Sequence, residues 1–133
     1  MPPDWIMALR LLLAAVLGGI IGYQRERTGK PAGLRTHMLI CIGATIFTLV
    51  SIYAFGDGVD PSRVAAGVVT GIGFIGAGAI IFRSSDGYIA GLTTAATIWV
   101  AAGIGVAVGS GLYVAAVVAT AIVLIILFIP HIK

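Results

Sequence analysis

Residues 24–37, QRERTGKPAGLRTH, lie between two long apolar runs. This stretch holds Arg25, Arg27, Lys30 and Arg35, four of the chain's eight lysines and arginines. Such a concentration of positive charge neither sits in hydrocarbon nor moves easily across a membrane, so its position fixes the topology of everything on either side. Gly29 and Pro31 break any helix continuing through it.

The composition agrees. Of 133 residues, 59% are hydrophobic and only 10% charged. Soluble domains carry about 25% charged residues. With a mean hydropathy of +1.12, the polar surface is too small to cover a globule in water, and an integral membrane protein is implied. The net charge of +3 does not point to nucleic acid, because the cations cluster in one loop with few aromatics among them. The single cysteine, Cys41, sits inside an apolar run and reads as a core filler.

Five apolar runs follow in order, at about 5–22, 37–55, 64–82, 92–108 and 112–129. The expected fold is a single all-α membrane domain over residues 1–133, with five transmembrane helices. A signal peptide is the rival reading of the first run, but charge follows it rather than a small-residue cleavage site. Gly56–Pro61 has the composition of a tight turn, and Ser62 is placed to cap the third helix. Residues 84–91 are also compatible with a re-entrant segment. Alternating spans put Arg25, Arg27, Lys30, Arg35, Arg83 and Lys133 on one side. The other side has Arg63, joined by Arg10 if that residue snorkels there. By the positive-inside rule the basic loop is cytoplasmic and the N-terminus outside.

The polar groups within or beside the spans are the candidate functional residues. Arg10 either snorkels to the interface beside Asp4 or forms an ion pair in the bundle with Asp86 or Glu26. Gly18/Gly22 and Gly67/Gly71 have the small-xxx-small spacing that lets helices approach closely in lipid, and Gly73, Gly76 and Gly78 extend that track. The same track would suit an ion path lined by backbone carbonyls. Thr93 and Thr97 share a helical face at i, i+4, and Thr94 lies between them. Threonine hydroxyls commonly bond back to their own helix, yet the amide groups at this helix start also favour an anionic partner. Glu26 is either a solvated loop carboxylate or the mouth of a cation path. His37, at the second helix start, reads as an interfacial histidine rather than a metal ligand, with no second ligand at metal spacing. Asp57 and Asp60 are weak candidates for a divalent cation.

Four blocks in order carry a resemblance. They are Gly18…Gly22-Tyr23-Gln24-Arg25-Glu26; Ala32-Gly33-Leu34-Arg35-Thr36-His37; Gly71-Ile72-Gly73-Phe74-Ile75-Gly76-Ala77-Gly78; and Gly91-Leu92-Thr93-Thr94-Ala95-Ala96-Thr97-Ile98-Trp99. Together they resemble the MgtC/SapB family of bacterial inner-membrane proteins. The resemblance implies a five-span domain and a role in growth at low magnesium and survival of intracellular pathogens. Some members are implied to restrain the membrane ATP synthase. Two features depart from that pattern. Gln24 stands where the family usually has Glu, with Glu26 about 200° further round the helix. Many relatives also carry a soluble C-terminal regulatory domain, so this chain is a short member or part of a longer one.

The expected function is therefore a non-enzymatic role in magnesium-linked cation homeostasis, open to ion conduction. The alternative is a non-transporting regulator of other membrane complexes. The residues expected to carry either role are Gln24, Arg25, Glu26, Arg35, Thr36, His37, Arg83, Asp86, Thr93, Thr94 and Thr97. Arg35 and Arg83 are expected to pair with Glu26 or Asp86. No cofactor is expected, with magnesium or another cation left open as a ligand. The expected partners are the lipid bilayer, further copies of the chain through glycine faces, and other inner-membrane proteins. No phosphate-binding loop supports an ATPase reading.

Overall fold

A computed structural model of the chain describes residues 1–84, 87 and 89–130, apart from the side chain of Arg83. The described residues form five helices: α1 (Asp4–Arg27), α2 (Leu34–Tyr53), α3 (Ser62–Arg83), α4 (Leu92–Gly109) and α5 (Tyr113–Leu127). The first four are long and apolar enough to cross a membrane, and α5 is a shorter apolar helix. The chain is an all-α membrane protein, as its composition requires.

The basic loop is shorter than the sequence suggests. Helix α1 continues five residues beyond Gly22, and α2 begins at Leu34. Arg25 and Arg27 are thus helical, and only residues 28–33 connect the two spans. The stop is set by Gly29, whose φ of 70° is left-handed. Lys30 N–H donates to the Arg25 carbonyl at 3.0 Å, and Gly29 N–H to that of Glu26 at 3.1 Å. These bonds satisfy carbonyls the helix end would otherwise leave free. Gly111 closes α4 in the same way, with Leu112 N–H donating to Ala107 at 2.9 Å.

Helix α1 shows how the bundle is sorted. Leu9, Leu12, Val16, Ile20 and Tyr23 face outward, while Arg10, Ala14, Leu17, Gly18, Ile21, Gly22 and Arg25 are buried. Lipid solvates large apolar side chains as well as a protein interior does, so the inner stripe selects small residues and bonded polar ones. The core is built from α1, α2 and α4, with Ala116 added from α5. Helices α2 and α4 run parallel at close range. The Cys41 thiol donates to the Ala101 carbonyl at 3.1 Å, and Thr45 Oγ1 to the Gly105 carbonyl at 2.9 Å.

Glycines make this approach possible, though not all the expected ones. A Cβ on Gly18 would fall 2.5 Å from the His37 carbonyl oxygen, and one on Gly22 would fall 2.7 Å from the Leu34 Cα. On α4, a Cβ on Gly105 would collide with the Cys41 carbonyl oxygen, and one on Gly109 would lie 2.8 Å from the Thr48 Cβ. By contrast, Gly67, Gly71, Gly73 and Gly78 have no such neighbour within 4 Å, and Gly76 meets only Ala95 at ordinary contact distance. The packing role expected of the α3 track is therefore not met within one chain. Helix α3 lies at the edge of the bundle, leaving a groove of about 790 Å³ beside α2 along Gly43, Gly67 and Gly71. Ser62 starts α3 but does not cap it. Asp60 Oδ1 accepts from Ser62 N–H at 2.9 Å and from its hydroxyl at 2.6 Å.

Candidate functional site

The first turn of α4 abuts the last turns of α1, and a polar chain runs through that junction. Arg25 is 4% exposed, and its Nη2 donates to Thr94 Oγ1. Thr97 Oγ1 lies 2.8 Å from the Thr94 carbonyl oxygen and 3.1 Å from His37 Nε2. His37 Nδ1 lies 3.0 Å from the Gly33 carbonyl oxygen. That oxygen only accepts, so the network assigns a proton to Nδ1. The single Thr97 hydroxyl proton serves either the Thr94 carbonyl or His37 Nε2, not both at once. Helices α1, α2 and α4 each supply one part of this chain, which rests on the parallel register of α2 and α4. Two buried atoms have no partner among the described residues: Arg25 Nε and Gln24 Oε1. Beside Arg25 opens a cavity of about 530 Å³, bordered by Lys30, Gly91, Thr93 and Thr94 and walled on its apolar side by residues that include Leu92 and Ile126.

A second buried arginine organises the opposite end. Arg10 Nε donates to the Tyr113 hydroxyl at 2.7 Å, while Nη1 donates to the Tyr53 hydroxyl at 3.0 Å and the Gly109 carbonyl at 3.1 Å. The guanidinium carbon lies 5.8 Å and 5.7 Å from the two ring centroids. Arg10 therefore does not pair with Glu26, and its guanidinium reaches the ends of α2 and α4 and the start of α5. Two phenols and the free carbonyl at the C-terminal end of α4 satisfy it inside the bundle.

The expected site residues divide. Arg25, His37, Thr94 and Thr97 are joined in one network. Glu26 and Arg35 are exposed and form no ion pair with one another within 4.0 Å, so the pairing expected between them is not made. The last turn of α1 and the first of α2 hold those side chains on the outer surface. Thr36 is half-buried outside the hydrogen-bonded chain. Thr93 is exposed, and Thr97 works with Thr94 three residues away rather than with Thr93. Asp86, Lys133 and the side chain of Arg83 lie outside the described residues.

A model of the MgtC family matches residues 11–132. The chain belongs to the MgtC family.

This MgtC-family chain is 50% identical over 130 residues to the "Putative magnesium transporter YhiD" of Escherichia coli, a match covering 92% of the chain and 60% of that protein. It is 43% identical over 113 residues to protein SrpB of Synechococcus elongatus, covering 76% of the chain and 62% of that protein. It is 46% identical over 116 residues to protein MgtC of Salmonella typhimurium, covering 87% of the chain and 48% of that protein. The chain thus spans about half to three-fifths of these relatives. No solved structure matches it. Within this MgtC-family domain, sequence reasoning missed Tyr53, Tyr113, Gly105 and Gly109. The last two had a visible signal, the small-xxx-small spacing that extends one residue past the fourth run. The tyrosines had none, because only the fold brings residues 10, 53 and 113 together.

Proposed function

We propose that this chain is the membrane domain of a bacterial inner-membrane protein of magnesium-linked homeostasis, acting as a non-transporting regulator of other membrane proteins. One observation carries the choice of regulation over conduction. Among the described residues, the buried side chains that carry a permanent charge, Arg10 and Arg25, are cationic, whereas the carboxylates of Asp4, Glu26, Asp57 and Asp60 are exposed. A buried cation raises the barrier to passage of another cation, and a divalent ion feels it twice over. The link to magnesium is supported by family membership and by the name of the Escherichia coli relative.

The partner surface in this reading is α3. Its Gly67 and Gly71 are uncovered, and a second copy or another membrane helix would bring its backbone close there. The basic end, with Arg25, Arg27, Lys30 and Arg35, faces the cytoplasm, with no role for nucleic acid. The reading is non-enzymatic. His37 and Thr97 form a hydroxyl–imidazole pair, but both are sealed in the core, at 0% and 4% exposure, out of reach of a substrate.

Flux of magnesium into proteoliposomes containing the purified protein tests the choice. Passage no faster than into protein-free vesicles is expected, along with crosslinking of α3 cysteine variants to a second membrane chain in native membranes. Magnesium flux above that background would overturn the regulator reading.

A further inference from the structure

The cavity beside Arg25 has a polar mouth and an apolar wall, and among the described residues no carboxylate pairs with the cations around it. Helix α4 begins there, at Leu92, and its first N–H groups and positive dipole end point toward the basic side of the bundle. Arg25, only 4% exposed, presses a full positive charge against that same positive end. The only hydrogen bond it donates among the described residues goes to a neutral hydroxyl, and its Nε donates to nothing there. Lys30 adds a second cation at the rim. A buried charge without compensation is strongly unfavourable, and a helix N-terminus with an arginine is the recurrent protein answer to an oxyanion.

We propose that this cavity binds a phosphate-type oxyanion, held by Arg25, Lys30 and the α4 N-terminus. A carboxylate would fill little of a space of about 530 Å³. A tetrahedral phosphate offers enough acceptors to meet a guanidinium, an ammonium and helix amides together. The apolar wall, with Leu92, Ile126 and Ile129, suits the glycerol and acyl portion of an anionic phospholipid. A free phosphate would use the polar mouth alone.

The test uses thermal unfolding of the purified chain in an uncharged maltoside detergent. One arm adds sodium phosphate against sodium chloride at matched ionic strength. The other adds a short-chain phosphatidylglycerol against a short-chain neutral diacylglycerol. A rise in melting temperature in either arm is expected, the lipid arm alone indicating a headgroup and the phosphate arm a free ion. Arg25→Gln should remove the rise, and Arg27→Gln, an exposed position, should keep it. Should Arg25→Gln fail to fold, Lys30→Gln in the exposed loop is expected to raise the probe concentration at half-maximal effect at least threefold. No rise in either arm, or a rise that survives the Arg25 and Lys30 substitutions unchanged, overturns the proposal.

Discussion

Arg10 and Arg25 lie on one face of α1, fifteen residues and about 22 Å apart, and both are buried, yet their surroundings are opposite. Arg10 meets the carbonyl end of α4 at Gly109, with a phenol from α2 and another from α5. Arg25 meets the amide end of the same helix and donates to one threonine hydroxyl. A helix favours a cation at its C-terminal end and an anion at its N-terminal end. The first arginine is therefore a finished structural clamp, and the second carries charge that the described protein does not neutralise. Burial alone does not distinguish a structural arginine from a binding one; the partners and the helix end do.

The largest expected effect separates the two directly. Arg10→Gln should cost about 3 kcal/mol, since it strands two phenols and a carbonyl that a charged donor now serves. Arg25→Gln in chloride buffer without added phosphate should cost less than about 1 kcal/mol, or stabilise, because it removes a poorly compensated buried cation. Thermal unfolding of both variants in detergent checks this, and equal losses would erase the distinction. Next in size, Gly105→Ala should cost about 2 kcal/mol by overpacking the α2–α4 contact that holds both ends of α4 in place. Gly67→Ala on the open face of α3 should change stability by less than about 0.5 kcal/mol.

Tyr53→Phe and Tyr113→Phe should each cost about 1 kcal/mol. The double variant should fall short of the sum if the two phenols share one guanidinium, which a double-mutant cycle measures. At the other end, Thr97→Val should cost about 1 kcal/mol by leaving His37 Nε2 without its hydroxyl, while Thr93→Val should be near neutral. The smallest effect lies outside both clusters. Hydrogen bonds from the Ser62 hydroxyl and amide hold the Asp60 carboxyl below its ordinary value. Its stabilising contribution is therefore present above the unfolded-state value and fades as pH falls through the lower folded value. Asp60→Asn should remove that slight acid dependence of unfolding without altering either arginine site.

The difference in legibility between α1 and α3 follows from the same physics. Gly18 and Gly22 read as packing glycines in the sequence, and in the structure they sit against the α2 backbone. The α3 glycines show the same spacing but face outward, because spacing reports that a close approach is possible and not which neighbour makes it. Arg25, His37, Thr94 and Thr97 stood out as polar residues in apolar runs. Their linkage did not, since it depends on α2 and α4 lying side by side with residues 37 and 97 level. Glu26 and Arg35 looked like a natural ion pair, but the helix ends around Gly29 turn both side chains to the surface.

Charge scarcity, the five apolar runs and the glycine stop at residue 29 were enough to determine an all-α membrane domain, because hydrocarbon admits only backbone that bonds to itself. The positions of the cations were enough to mark one basic end. Only the tertiary structure decided which end of α4 each buried arginine meets, because a helix dipole acts within about one turn. Contacts that short are set by packing between segments as much as 103 residues apart in the chain.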